Sequence, residues 1–152
     1  MRQQFAYTII DTAPSFNDPM LAVLDAADTV LMVAALDLPT VKNVKLGLEI
    51  MENLHYGRDK IKLILNCINA DGVMEVKDVE ASLHYSFTAT LPSDSKTVVT
   101  AANCGVPFVL SNPQTPVAKE MFGLARTVAG VVEERATALP MGVVGRLKHL
   151  FS

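Results

Sequence analysis

Tyr7-Thr8-Ile9-Ile10-Asp11-Thr12-Ala13-Pro14-Ser15 is an apolar, β-branched run that ends on one carboxylate and breaks at once into a proline turn. Nothing between Tyr7 and Ile10 alternates with polar residues, so the run predicts a buried central strand of a parallel sheet. Ligands of open parallel sheets bind outside the carboxyl ends of the strands, which is where Asp11 falls. An aspartate there either serves a Mg²⁺-dependent site or simply caps the next turn, and nine residues leave both open.

Outward from this stretch the pattern repeats. Asn17-Asp18-Pro19 is a helix start, with Asp18 as the expected cap and Pro19 in the first turn. Thr29 to Ala35 is a second continuous apolar strand, followed by the loop Leu36 to Thr40, where Asp37 reads as a loop cap. Val41 to about His55 is a helix burying Val44, Leu48, Met51 and Leu54 at three- and four-residue spacing. Ile61 to Asn66 is a third strand with a polar residue at its carboxyl end. Val76 to about Tyr85 is a helix, Thr88 to Leu91 a short strand, and Thr97 to Asn103 a helix stopped by Gly105. Val106 to Leu110 reads as a last extended segment before a long helix from about Val117 to Arg135. Strands alternating with helices at this spacing predict an α/β fold, a mostly parallel sheet flanked by helices.

The 152 residues suffice for one domain with a sizeable core, and half of them are hydrophobic. No apolar run approaches the ~18–20 residues needed to cross a bilayer. Thirteen basic against sixteen acidic residues leave a net charge of −3, which offers nucleic acid no general attraction. Cys67 and Cys104 are far apart and read as buried thiols, not a disulfide framework. His55, His84 and His149 have no metal-type partners and read as surface residues, while Met20, Met51, Met74 and Met121 read as core fillers. The eight glycines are scattered singly, so residues 1–152 contain no Gly-rich phosphate loop.

The ordered set of strand ends resembles the C-terminal part of the MinD/ParA family of P-loop ATPases, and within it the pilus-assembly branch, the CpaE/TadZ proteins. The resemblance is carried by Tyr7 to Ser15, Ala26 to Val33, Leu63 to Asn66, Leu91 to Asp94, Ala101 to Pro107 and Ser111 to Ala118. It implies the C-terminal portion of a nucleotide-binding domain over residues 1–137, using ATP and Mg²⁺ in the intact protein. Asp11 would then be the Walker B carboxylate acting on Mg²⁺ through water. Thr12, Pro14 and Ser15 would belong to the switch segment that senses the γ-phosphate. Asn66 would hydrogen-bond the adenine, whose edge needs the paired donor and acceptor of an amide, and Pro92, Ser93 and Asp94 would line the base. The alternatives are a strand-end amide for Asn66 and an ordinary helix cap at Ser93 or Asp94. The family's phosphate loop lies upstream of everything seen here, and Cys67 stands where the family often has a basic residue. Further chain ahead of Met1 is therefore expected. The resemblance also implies a homodimer, pilus or secretion partners, and hydrolysis once the upstream loop is present. The alternative is a non-catalytic membrane- or partner-binding module of the same fold.

Residues 138–152 form a separate amphipathic tail. Wound at about 100° per residue, Val143, Val144, Leu147, Leu150 and Phe151 share one sector, flanked by Arg146 and Lys148. Such cations keep their stems on an apolar layer while their charged ends reach lipid headgroups. The pattern predicts weak, reversible attachment to the inner face of the plasma membrane by a cytoplasmic protein, or packing on the protein's own core. It is similar to the family's short C-terminal targeting helix.

Overall fold

The computed structural model describes residues 5–68 and 74–130. Among them a three-stranded parallel sheet runs in the order β1 (Val30–Ala34), β2 (Ile61–Ile68) and β3 (Phe87–Pro92). Helices α1 (Asp18–Ala26), α2 (Leu38–Asn53) and α3 (Val76–Leu83) cover one face, while α6 (Pro116–Val128) packs on the other. The predicted α/β architecture is the one observed.

The central strand accounts for this layering. Ile61, Leu63 and Leu65 join the α1–α3 core, and Ile64 turns the other way to meet Leu91 and Leu124. All four β2 side chains are at most 3% exposed, as expected of a strand covered on both faces. Each such burial contributes roughly 1.5–3 kcal/mol. On α2, Val41, Val44, Leu48 and Met51 form the buried stripe. Leu54, expected within it, is 42% exposed because it falls at the C-cap, where the helical path ends. Met20 and Met74 pack against the larger core cluster and Met121 against the smaller, as gap-filling methionines do.

Helix ends follow local chemistry. The Met20 N–H donates to Asn17 Oδ1 at 3.1 Å, so Asn17 caps α1, whereas Asp18, the expected cap, is already its first residue. Asp37 caps α2 by accepting from the Thr40 N–H at 2.8 Å. His84 closes α3 and His55 follows α2, both at positive φ and both exposed. Gly105 closes α4 (Ser95–Cys104) at φ 67°, a conformation that glycine adopts without strain.

Three elements differ from expectation. Residues 7–10 are not a buried strand: they lie outside the sheet, with Ile9 93% and Tyr7 65% exposed. A strand is buried by its neighbours, and an open groove separates Ile10, the end of this run, from β1. Residues 106–110 are not extended either. After Pro107 the chain makes one helical turn, α5 (Phe108–Ser111), with the Ser111 and Asn112 N–H groups donating to Pro107 and Phe108 carbonyls. Finally, α6 stops at Val128, where Gly130 takes φ 70°, short of the predicted Arg135. Cys104, expected to be buried, is exposed at the end of α4; the side chain of Cys67 is outside the described set. The tail and its residues Val143 to Phe151, with His149, also lie outside the described residues. No described helix is long and apolar enough to cross a membrane.

Candidate functional site

The chain leaves each parallel strand at its carboxyl end and turns into a capped helix, so side chains from separate loops gather along one rim. Nearest the start, residues 10–16 form one wall of a groove of about 740 Å³. The facing wall is β1 with Thr40, Asn43 and Gly47 of α2. Asp11, Thr12, Pro14 and Ser15 all line this groove and are exposed. The Ser15 N–H donates to the Ala13 carbonyl at 2.8 Å, closing the turn that the Pro14 sequence predicted. Among the described residues, the Asp11 carboxylate has no hydrogen-bond or ion-pair partner, so it is not spent on capping this turn.

Phe16 and Gly47 were not singled out from sequence, yet they hold this wall in place. A Cβ on Gly47 would lie 3.3 Å from Met32 Cε and 3.9 Å from Phe16 Cζ. A Cβ there would therefore touch Phe16 at ordinary contact distance and press only on the end of Met32. The available signal was a lone glycine inside an apolar helix stripe, which usually marks a close approach.

The second group lies further along the rim, on adjacent strands. Ile68 of β2 pairs with Pro92 of β3, which brings the Asn66 region beside residues 92–94. β2 continues two residues beyond Asn66, its predicted end. From Leu65 to Ile68 it advances three residues while β3 advances two, from Thr90 to Pro92. The extra residue therefore falls at Asn66-Cys67, and irregularities of this kind re-aim side chains beside functional sites. Asn66 is exposed. Asp94 accepts from the Thr97 N–H at 3.0 Å and caps α4, so the cap expected at Ser93 or Asp94 is Asp94.

These contacts set the local electrostatics. Hydrogen bonding to Thr97 holds the Asp94 carboxyl below the usual carboxylate range, helped by nearby Lys96. Hydrogen bonds from Thr40 do the same for Asp37. The rim thus presents the capping carboxylates of α2 and α4 and the exposed carboxylate of Asp11. No group of three or more His, Cys, Asp or Glu side chains able to hold a metal ion occurs among the described residues. A separate recess of about 340 Å³ between β3 and α6, reaching Thr88, Thr90, Glu120 and Arg126, contains none of the residues marked by the sequence.

A parallel α/β domain with its polar residues on the carboxyl rim has the framework of a fold that binds ligands outside the carboxyl ends of its strands. The solved structures it resembles narrow the type. It superposes on a ParA family ATPase from Chlorobium tepidum with a TM-score of 0.67, at 16% identity over 73% of this chain and 46% of that one. It matches the MinD cell division protein of Aquifex aeolicus with a TM-score of 0.65, at 19% identity over 82% of this chain and 51% of that one. A MinC:MinD complex from the same organism gives 0.65 at 16% identity. In sequence, the chain is 26% identical over 156 aligned residues to the septum site-determining protein MinD of Thermotoga maritima, covering 97% of this chain and 57% of that protein. No family model matches. The fold is that of the MinD/ParA-type P-loop ATPases, and the sequence likeness supports the same family. The chain spans 46% to 57% of the length of these relatives.

Proposed function

We propose that the intact protein is a MinD/ParA-like ATPase that positions or assembles a membrane-bound or polar machine, Tad-type (Flp) pilus assembly being the specific case that its CpaE/TadZ-like strand ends suggest. The observation that carries the reading is the 97% of the chain that aligns with a MinD, together with Asp11 exposed on the groove wall.

The residues present suit ATP and Mg²⁺. Mg²⁺ is usually held by one or two carboxylates plus the phosphates of its nucleotide, and Asp11 supplies one such group at an accessible rim. Asp11 would act on the ion through water. The ion, when bound, neutralises charge on the phosphate oxygens. Thr12, Pro14 and Ser15, anchored behind by Phe16 on α2, would respond to the terminal phosphate. Asn66, with its amide exposed at the irregularity of β2, would offer a donor and an acceptor to the base, and residues 92–94 would line its other side. Asp94 is compatible with that role through its backbone and its second oxygen, since one oxygen caps α4. The phosphate-gripping loop would come from chain beyond residues 1–152.

By this reading the protein is cytoplasmic and peripheral to the plasma membrane. It forms a homodimer when nucleotide is bound, holds lipid through Val143, Val144, Arg146, Leu147, Lys148, Leu150 and Phe151, and engages assembly partners. The MinC:MinD complex of Aquifex aeolicus is one example of partner binding by a protein of similar fold.

The test is calorimetric titration of the intact protein with ATP, with and without Mg²⁺. Mg²⁺-dependent binding is expected, with Asp11→Asn losing the Mg²⁺ dependence and Asn66→Ala weakening nucleotide binding overall. No Mg²⁺-dependent binding by the intact protein would sink the ATPase reading. The second reading is a non-catalytic module that binds a membrane or partner without nucleotide. It predicts unchanged liposome flotation whether ATP is present or not.

A further inference from the structure

β3 lies at the edge of the described sheet away from the groove that Asp11 lines, and its outer side is unpaired among the described residues. Edge strands are commonly blunted by charge, proline or a covering segment. Phe87 to Leu91 carries neither charge nor proline. Beside this edge stands one flank of α6, which with Thr88 and Thr90 encloses the recess of about 340 Å³.

Gly123 is at the centre of that flank. Glycine inside a helix is destabilising relative to alanine and asks for a reason, yet a Cβ here would meet no atom within 4 Å. A glycine admits the close approach of a second helix, and the described chain supplies none on this flank. The residues one turn to either side carry opposite charges. Glu120 is exposed, Arg126 is partly exposed, both line the recess, and no described residue pairs with either. At about 100° and 1.5 Å per residue, Glu120 lies about 60° to one side of Gly123 and about 4.5 Å before it. Arg126 lies about 60° to the other side and about 4.5 Å beyond. A two-fold axis through Gly123 reverses both displacements, so it sets Glu120 of each copy opposite Arg126 of the other. The surface is self-complementary, as an isologous interface requires.

The sheet admits the same axis. α6 covers Ile64 of β2 and Leu91 of β3, so it runs about half a strand spacing inside β3. Antiparallel pairing of β3 with its symmetry mate, at a spacing of about 4.8 Å, puts the axis half a spacing outside it. The two α6 helices then lie antiparallel about 10 Å apart, within reach of close helix packing.

We propose that the β3 edge and the α6 flank around Gly123 form a nucleotide-independent two-fold interface between two copies of this chain. Antiparallel β3 strands and two reciprocal Glu120–Arg126 ion pairs join the copies. The interface uses neither Asp11 nor Asn66 and is distinct from the nucleotide-bound homodimer proposed above, so it stands or falls separately from the ATPase reading.

The test is sedimentation velocity of the intact protein without nucleotide, over a range of protein concentrations, where a dimer is expected. Glu120→Arg and Arg126→Glu each set like charges across the axis, and each should weaken dimerisation at least roughly tenfold. The double variant reverses both partners together and should restore it. Gly123→Leu, whose Cβ has open space around it in one copy, should block dimerisation while leaving far-ultraviolet circular dichroism unchanged. A monomer without nucleotide overturns the proposal. So does a dimer that survives the single reversals, or one that the double variant fails to restore. Mg²⁺-dependent ATP binding, read by calorimetry on the same samples, decides the ATPase reading separately.

Discussion

Gly47 is a position where two opposed effects can be weighed. It sits inside α2, buried, where glycine costs roughly 0.5–1 kcal/mol relative to alanine because the unfolded chain is freer. Against that gain, a new Cβ meets Met32 Cε at 3.3 Å and Met32 Sδ at 3.8 Å. The near contact is the far end of a flexible thioether, which yields a few tenths of an ångström at little expense. Gly47→Ala should therefore stabilise by about 0.5 kcal/mol. Gly47→Leu is different in kind. Its larger side chain must displace both Met32 and the Phe16 ring, whose Cζ is 3.9 Å from the Cβ position. Overpacking of that sort costs about 1–3 kcal/mol, and it detaches the wall that carries Thr12 to Ser15. Urea unfolding of the two variants, read as midpoints at constant slope, measures the difference. Hydrogen exchange at Ser15 and Phe16 reports the detachment. If Gly47→Leu matches Gly47→Ala in stability and leaves exchange at Phe16 unchanged, α2 does not anchor the turn and the packing argument is wrong.

Glu80 Oε1 accepts the Phe87 N–H at 2.7 Å in a partly buried position, joining α3 to the first residue of β3. Glu80→Ala should cost about 1–3 kcal/mol by stranding that donor, and Glu80→Gln, which retains an acceptor, should recover most of it in thermal unfolding. Asp94 has its pKa lowered by its bonds to Thr97. Its contribution is fully present above the ordinary carboxylate value of 3.8 and is lost as pH falls through the lower folded value. The stability difference between wild type and Asp94→Asn, which also caps but does not ionise, should therefore narrow below that pH in acid titrations followed by circular dichroism. Removing residues 138–152 from the intact protein should abolish its flotation with anionic liposomes without altering its thermal midpoint; a lowered midpoint with flotation intact would mean that the tail packs on the core.

Much of the fold was legible because its signals are local. Asp37, the Asp94 region and Gly105 each act within one turn of the helix they bound, and each took its expected role. The one-residue shift from Asp18 to Asn17 reflects a competition between neighbouring side chains able to cap, decided by which of them stands outside the first helical turn. Residues 106–110 had strand-like composition, but after Pro107 the chain makes a helical turn in which the Ser111 and Asn112 N–H groups donate to the Pro107 and Phe108 carbonyls. The irregularity at Asn66-Cys67 left no trace in the sequence at all, because it arises from the relative advance of β2 and β3.

The contrast between two similar runs shows where sequence pattern stops deciding. Ile61 to Leu65 and Tyr7 to Ile10 are both apolar, both end near a polar residue, and both predict a buried strand. β2 meets the expectation because α2 and α3 cover one face, α6 covers the other, and strands pair with both its edges. Residues 7–10 have the same preference and, among the described residues, none of these neighbours, so Ile9 is 93% exposed. An apolar run states a demand for burial, and the rest of the chain must meet it. The same pattern gave the right reading for β2 and the wrong one for residues 7–10, and what separates them is the packing found around each run among the described residues.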